Sequence, residues 1–209
     1  MKMTGSKMGS ALLWVGVLLV LGALALTAYN LWDDERANGA VQMVLEEIKR
    51  SVDAEGEPMA VPADVRLPVP DYILNPNLEM PAVEIDGYRY IGILAIPVLE
   101  LELPVMEDWS YPQLKIAPCR YSGSAYQGNL ILCAHNYTTH FGRLKNLLAE
   151  DEVIFTDMAG HTFNYTVAEV ETLNPTAVEE MRSGGWDLTL FTCTIGGQTR
   201  VTVRCRASG

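Results

Sequence analysis

The residues of this 209-residue chain best suited to nucleophilic chemistry are Cys193 and Arg200, seven positions apart near the C-terminus. A cysteine attacks as its thiolate, which a neighbouring cation favours, and the same cation can donate hydrogen bonds to a developing oxyanion. Such a cysteine also needs an acid or a base, and the chain has three histidines. The pair alone also fits a strand arginine whose head group reaches solvent, so its spacing leaves both interpretations open.

The connection between Cys193 and Arg200 predicts that the two side chains lie side by side. Gly196 and Gly197 are a strong signal for a two-residue hairpin turn. With that turn, Cys193 pairs with Arg200 and, further along the same strands, Thr189 faces Arg204. Directly opposed residues share one face of a sheet, with Cβ atoms about 4.5–5.5 Å apart. A three-residue loop would shift this register.

Other cysteine chemistries fit the sequence less well. Cys133, His135 and His140 could be combined into a metal site, but the sequence has no C-x-x-C pair, so we predict no metal centre. The same lack, together with the missing βαβ pattern, disfavours a thiol–disulfide oxidoreductase. A papain-type protease would carry its cysteine before its histidine, whereas here His135 precedes Cys193.

The elements that would position these residues are short strands, beginning near Tyr88. Leu99, Leu101 and Leu103 alternate with glutamates, which is typical of a half-buried strand. Further strands are predicted at residues 129–134, 152–157, 161–172, 188–193 and 198–206. One short helix is predicted from the spacing of Phe141, Leu144, Leu147 and Leu148. About seven short strands without a βαβ pattern predict a mainly antiparallel β-barrel or sandwich.

The N-terminal part of the chain predicts a membrane anchor. Residues 11–28 carry no charge and would span about 27 Å as a helix. Lysines precede the run and acidic residues follow it, which predicts a single-pass anchor over 11–29, with residues 1–10 in the cytoplasm and the remainder outside the cell membrane. A cleaved signal peptide remains an alternative, because the small residues around Ala23 and Ala25 could suit a peptidase. A buried core helix is disfavoured, because the run has no polar face.

The region after the anchor is acidic and is predicted to be a connection. Residues 30–53 are predicted to form a juxtamembrane helix, in which Val41, Leu45 and Ile48 recur at helical spacing. Residues 54–84, rich in proline and acidic residues, are predicted to be an extended linker. The net charge of −11 argues against binding to nucleic acid, which would require a basic surface.

Several motifs together resemble the sortase family. Residues 189–193 read T-L-F-T-C, which matches the sortase pattern T-L-x-T-C, and the A-H-N of residues 134–136 is similar to the sortase histidine stretch. Arg200, in Q-T-R-V-T-V-R, resembles the sortase arginine on the strand after the cysteine. Residues 91–97 and 103–105, I-G-I-L-A-I-P and L-P-V, resemble the family's opening strands. The resemblance covers a catalytic domain at about residues 85–207, and a preceding anchor is also usual for sortases.

The resemblance implies a fold and a mechanism. The fold would be mainly β, a closed antiparallel or mixed β-barrel of about eight strands with short helices. Cys193 would be the nucleophile that forms a thioacyl-enzyme, and His135 would protonate the departing amine and then act as base for the incoming one. Arg200 would orient the substrate or stabilise the oxyanion, and Ala134 and Thr192 would contact the substrate.

The resemblance also implies partners. The enzyme would be a membrane-anchored cysteine transpeptidase of a Gram-positive type of cell. It would cleave an LPxTG-like sorting signal near the C-terminus of a secreted protein and join the new carboxyl group to an amine of a cell-wall precursor, lipid II-like, or of a pilin lysine. A sortase-like hydrolase and a catalytically silent binding or scaffold domain remain the alternatives.

Some features leave the subclass, calcium dependence and redox state open. The connection from Cys193 to Arg200 is shorter than in many sortases, which leaves the subclass undefined. No prosthetic group is predicted; the acidic stretch from Glu100 to Asp108 could bind calcium, but a solvated strand edge is the simpler interpretation. Outside the cytoplasm, a Cys119–Cys133 or Cys133–Cys205 disulfide is an alternative to free thiols, and free thiols are preferred here.

Overall fold

The computed structural model describes residues 5–55 and 69–208, and the chain divides into two compact units, Met1–Arg36 and Ala37–Gly209. The first unit holds most of the apolar part of a long helix, α1 (Gly5–Glu55). This helix is long and apolar enough to cross a membrane, and the large apolar side chains between Leu12 and Leu26 are exposed. The predicted anchor at residues 11–29 therefore lies within one continuous helix, which suggests a single-pass membrane anchor.

The second unit is built around a closed β-barrel. Its strands are β1 (Val83–Ile85), β2 (Tyr88–Ile96), β3 (Leu101–Met106), β4 (Cys119–Ser122), β5 (Leu130–Ala134), β6 (Glu152–Asp157), β7 (Thr162–Leu173), β8 (Leu188–Cys193) and β9 (Arg200–Ala207). They follow the order β1-β2-β3-β4-β5-β8-β9-β7-β6, and a further β2–β6 pairing closes eight of them into a ring. The β3–β4 and β5–β8 pairs are parallel and the others antiparallel. The predicted mixed barrel of about eight strands is confirmed.

The barrel interior is filled by alternate residues of its strands. Leu190 of β8 and Val203 of β9 are fully buried in the main core, together with Leu94, Leu132 and Phe155. Successive strand residues point to opposite faces of a sheet. In β8 and β9, the residues at odd separations from Leu190 and Val203 therefore point outward. Cys193 and Arg200 belong to this outward set.

Short helices decorate the barrel, and one predicted helix is wrong. Beyond α1 the described chain has α2 (Asp71–Leu74), α3 (Tyr111–Leu114) and α4 (Val178–Arg182). Instead of a helix over residues 141–148 there is only a 3-10 turn, Leu144–Asn146. The backbone N–H groups of Phe141 and Gly142 donate to carbonyls of the loop before them, at His135 and Tyr137, so they start no α-helical ladder.

The C-terminal part of α1 belongs to the barrel unit. Ala37, Val41, Val44, Leu45 and Ile48 are buried, and Val41 and Leu45 share the main core with barrel residues. Nearby, Lys49 Nζ lies 2.7 Å from Glu102 Oε2 of β3. The apolar stripe predicted within residues 30–53 therefore packs on the barrel, because it has a core to cover, and does not form a free spacer.

The predicted linker, residues 54–84, falls into three parts, of which residues 54 and 55 form the end of α1. Residues 56–68 lie outside the described residues. From residue 69 onward the chain is packed: Tyr72 stacks on Tyr126 with ring centroids 4.5 Å apart, and Met80 is buried. Proline disfavours a regular helix or a central strand, but it does not prevent burial. This stretch can therefore pack against the barrel although its composition predicts an extended linker.

Candidate active site

The hairpin of β8 and β9 places Cys193 directly opposite Arg200, as predicted, with Thr189 opposite Arg204. The turn differs from the prediction. The N–H of Gly197 donates to the carbonyl of Thr194 at 2.8 Å, and the N–H of Thr194 donates to the carbonyl of Thr199 at 3.0 Å. The connection is therefore four residues long, not two, and because both loops are centred on the Gly196–Gly197 bond the register is the same. Two consecutive glycines with φ of 82° and 72° allow this tight path.

The parallel pair of β5 and β8 brings His135 to the same edge of the sheet. Ala134 pairs with Thr192, and the Thr192 hydroxyl donates to the Ala134 carbonyl at 2.8 Å. The next residue on each strand is His135 and Cys193, because the carboxyl ends of parallel strands meet at one edge. Cys193 thus lies between the strand that leads to His135 and the strand that begins with Arg200.

The four thiols differ in burial. Cys119, Cys133 and Cys205 are buried, whereas Cys193 is partly exposed, and all four are free. Burial raises the pKa of the Cys119 and Cys205 thiols to about 12 and raises the pKa of Cys133 as well. Three of the thiols are therefore held protonated and out of reach, and neither disulfide considered from the sequence is formed. Cys193 is the thiol that a substrate can reach.

Two clefts meet at Cys193. The first, of about 210 Å³, is lined by the rings of Trp109, Tyr121 and Phe191 and by Arg200, and we call it the aromatic cleft. The second, of about 560 Å³, is lined by residues that include Arg143 and Lys145, and we call it the basic cleft. A peptide bond lying across Cys193 would have one side in each cleft.

The aromatic cleft has a continuous row of rings. Trp109 lies 5.8 Å from Tyr121, and Tyr121 lies 5.2 Å from Phe191, edge to face. Tyr111 extends the row outward at 6.0 Å from Trp109 and is 75 % exposed. Such rings offer large apolar contact at low entropy cost, so the cleft suits an apolar peptide segment.

The side chains of the three predicted substrate-contacting residues are not equally accessible to a bound peptide. The Arg200 Nη1 donates to the carbonyls of Gly197 and Thr199 at 3.2 and 3.1 Å, so the hairpin itself holds the guanidinium. Ala134 and Thr192 line the aromatic cleft but are 5 % and 3 % exposed, and the Thr192 hydroxyl is already used between the strands.

Comparison with known families decides the classification. The Sortase domain model matches residues 94–208, more than half of the chain. The chain belongs to the sortase family. Membership supports cysteine transpeptidase activity in general. Comparison with curated proteins returns no match to the sequence.

Solved structures similar to this sortase share its barrel. Sortase A from Corynebacterium diphtheriae, a lid mutant, is 22 % identical with a TM-score of 0.53, over 57 % of this chain and 70 % of that one. Sortase C1 from Streptococcus suis is 26 % identical with a TM-score of 0.50, over 57 % and 73 %. The sortase D5 transpeptidase of Clostridium perfringens is 20 % identical with a TM-score of 0.51, over 57 % and 79 %. The agreement across these types concerns the fold.

Neither of the other two histidines is available at the strand edge that carries Cys193: His140 is buried, and His161 lies at another turn of the sortase domain. His140 is fully buried beside Tyr137, with ring centroids 5.3 Å apart. His161 lies at the β6–β7 turn, where its Nδ1 is 3.0 Å from Asp157 Oδ2. Of the three histidines, His135 is the one at the strand edge that carries Cys193.

Two acidic residues of the stretch from Glu100 to Asp108 form ion pairs in the sortase domain. Glu107 Oε2 lies 2.6 Å from Arg89 Nε, and Glu102 pairs with Lys49 of α1. Within residues 5–55 and 69–208, no three His, Cys, Asp or Glu side chains are grouped as metal ligands would be. These contacts give Glu102 and Glu107 structural partners.

Sequence reasoning missed the ring row and the segment that faces it. Phe191 could have been found, because it is two residues from Cys193 on one strand and therefore shares its face. Trp109 and Tyr121 come from separate loops and strands, and nothing local in the sequence connects them. The segment between β7 and β8, including Val178 and Met181, lines the same cleft without a recognisable motif.

Proposed function

We propose that this protein is a membrane-anchored sortase that joins a sorting signal to an amine through a thioacyl-enzyme on Cys193. The observation that carries the proposal is the common strand edge: the accessible thiol stands between the strand that leads to His135 and the strand that carries Arg200. The remaining thiols are buried, so they do not compete as nucleophiles.

In the first half of the reaction, the Cys193 sulfur attacks the carbonyl carbon of the scissile peptide bond. A C–S bond forms, the C–N bond breaks, and His135 gives its proton to the departing amine. Arg200 donates hydrogen bonds to the oxyanion that develops on the carbonyl oxygen. Ala134 and Thr192 form the floor beside the scissile bond.

In the second half, an incoming amine attacks the thioester and His135 accepts its proton. A C–N bond forms, the C–S bond breaks, and the thiolate of Cys193 is restored. Aminolysis must outcompete hydrolysis, so the amine has to be held in place better than bulk water is. The basic cleft, on the far side of Cys193 from the rings, is where we place the amine.

The substrates we propose are secreted proteins with an LPxTG-like sorting signal. The apolar residues of that signal would lie in the aromatic cleft, against Trp109 and Tyr121. The acceptor would be an amine of a cell-wall precursor or of a pilin lysine. The lysines before the apolar run favour an N-terminus in the cytoplasm and a catalytic domain outside. The steps proposed here use side chains of the protein, and the calcium and EDTA arms of the test below check for a role of that ion.

The test uses the full chain in detergent micelles with a Leu-Pro-x-Thr-Gly peptide library and a mixture of amines. Mass spectrometry follows the peptide that contains residue 193, with Cys193→Ala as control and with parallel samples in calcium and in EDTA. We expect a thioacyl adduct on Cys193 and an amine-ligated product, neither of which forms with the alanine variant. Free acid alone would identify a hydrolase, and no adduct with any peptide would contradict the proposal and favour a binding or scaffold domain or a very narrow substrate range.

A further inference from the structure

Arg204 is a buried arginine that the proposed reaction does not use. It lies on β9 four residues after Arg200 and points to the same outward face, opposite Thr189. Only 2 % of the residue is exposed. An arginine is seldom so completely buried, because removing its charge from water is costly unless every donor finds a partner.

The partners of Arg204 come from three elements. Its Nε donates to Glu171 Oε1 of β7 at 2.7 Å, and its Nη1 donates to the Thr189 hydroxyl of β8 at 3.2 Å. The same Nη1 donates to the carbonyl of Met181 at 2.8 Å, and Nη2 donates to the carbonyl of Glu180, also at 2.8 Å. The guanidinium therefore connects the barrel wall to the last turn of α4.

Helix α4 belongs to residues 174–187, the connection between β7 and β8, which we call the wall segment. Asn174, Pro175, Ala177, Val178 and Met181 of this segment line the aromatic cleft. They face the cleft together with Phe191 and Cys193. The wall segment is thus one side of the space that leads to the nucleophile.

A helix of five residues cannot hold this position alone. So short a helix is not stable in water, and its last carbonyls have no partners within the helix. In α4 Arg204 donates to two of those carbonyls, and the Glu180 carbonyl also accepts from the Ser183 hydroxyl at 3.2 Å. Met181 is the one helix residue that is buried. Without the guanidinium, the carbonyls of Glu180 and Met181 would turn toward water and take Met181 out of the cleft wall.

We propose that Arg204 is a positioning residue that fixes α4 as a wall of the aromatic cleft and thereby sets the affinity for the acyl-donor peptide. The proposal rests on the proposed function for its peptide and extends it to a residue that touches neither the peptide nor the thiol. Arg200 and Arg204 would then have different roles on the same strand: Arg200 acts on the reacting carbonyl, and Arg204 fixes the shape of the cleft.

The kinetic test compares Arg204→Met and Arg204→Lys with Arg206→Met in the full chain. Arg206 is a matched control: it holds the same wall segment through the Gly185 carbonyl and the Trp186 ring, 4.1 Å away, and neither of these two residues lines the cleft. At saturating amine, we expect Arg204→Met to raise the peptide KM about 10- to 100-fold, the loss expected for charged hydrogen bonds, with kcat within about threefold. Arg204→Lys, which can reach one acceptor, should fall between, and Arg206→Met should stay within about threefold of the original protein.

A loss of folding is detected separately by thiol labelling. Iodoacetamide should label one cysteine of a folded variant, Cys193, and all four of an unfolded one, because the other three are buried. Methylguanidinium added to a third variant, Arg204→Ala, should lower the peptide KM again, which a general structural defect would not do. A peptide KM that does not move in Arg204→Met, or that moves equally in Arg206→Met, would overturn the proposal.

Hydrogen exchange tests the clamp independently of turnover. In Arg204→Met, the amides of Met181 and Ser183, which donate to the carbonyls of Ala177 and Glu179, should exchange at least about tenfold faster, while those of β8 stay protected. If the original protein forms no ligated product, the proposed function fails, and unchanged exchange in α4 would overturn the role of Arg204 by itself.

Discussion

The ends of β5, β8 and β9 and the wall segment border the same cleft but are held in different ways. The strand ends are fixed by backbone ladders and by the hydrogen bond between Thr192 and Ala134. The wall segment depends on long side chains that reach its carbonyls, above all Arg204. Ladders are shared by many residues, whereas a side-chain clamp can be lost in one substitution. We therefore expect chemistry and recognition to be separable by mutation.

Substitution of Arg200 should have the largest effect on catalysis and should leave peptide recognition unchanged. Arg200→Ala removes the donors expected to face the oxyanion, so kcat should fall about 10²- to 10³-fold with little change in peptide KM. This is the reverse of the pattern expected for Arg204→Met. Steady-state kinetics on both variants, side by side, checks it. A raised peptide KM with an unchanged kcat would place Arg200 with the wall segment.

The core behind the strand ends should lose stability at high pH. Burial raises the pKa of Cys205 on β9 to about 12, whereas an unfolded thiol titrates at about 8.5. The folded state keeps its proton where the unfolded state has lost it. The resulting stability is therefore fully present below about pH 8.5 and falls above it, by at most about 1.4 kcal/mol per pH unit for each such thiol.

Urea unfolding at pH 8, 9 and 10 in reducing buffer, followed by near-ultraviolet circular dichroism, measures this slope. Cys205→Ala should show a shallower decline than the original protein, although its stability at pH 8 is lower. Parallel curves for the two proteins would mean that Cys205 is not kept protonated by burial.

Thr192 tests how tightly the strand ends must be held. Thr192→Val keeps the shape of the side chain but removes its hydrogen bond to Ala134 between β5 and β8. We expect a loss of about 1 kcal/mol in the free energy of unfolding and about a tenfold fall in kcat, because His135 and Cys193 are no longer fixed as firmly relative to each other. The peptide KM should change little. A variant with full kcat would show that the ladder alone suffices.

Thr202→Val is the matched control for Thr192→Val, and we expect it to have the smallest effect on activity. It lies on β9 opposite Phe191, is fully buried, and its hydroxyl finds no hydrogen-bond partner among the described residues. Thr202→Val is the same substitution as at Thr192 but removes no bond, so it should raise the free energy of unfolding by about 1 kcal/mol. Activity should be unchanged. A loss of stability would reveal a partner for the hydroxyl.

The residues at the strand ends could be predicted from the sequence and the wall segment could not. The pairing of Cys193 with Arg200 depends on a loop centred on the Gly196–Gly197 bond, and the predicted and observed turns share that centre, so the prediction holds although the turn length was wrong. The same antiparallel register predicts that Thr189 and Arg204 face each other. The partners of Arg204 in α4, however, are backbone carbonyls, which every residue has, so no residue type marks them.

The same limit applies to packing at a distance. The stripe of Val41, Leu45 and Ile48 shows that a helix has an apolar face, but nothing in it names the barrel as the surface it covers. The spacing of Phe141, Leu144 and Leu147 also fits an α-helix. In the structure, however, the backbone of Gly142 packs so closely on the carbonyls of Asn136 and Tyr137 that a Cβ there would lie only 2.5–2.7 Å from them. Periodicity predicts which residues are buried more reliably than it predicts the backbone that buries them.

The parallel pairing of β5 with β8 also bears on how the chain folds. Ala134 and Thr192 are 58 residues apart in sequence, and the strands between them pair with other parts of the barrel. Contacts at such a separation form late, because the entropy of closing a long loop must be overcome first. Before these strands pair, His135 and Cys193 are not neighbours, so the arrangement proposed for catalysis exists only once the barrel is closed.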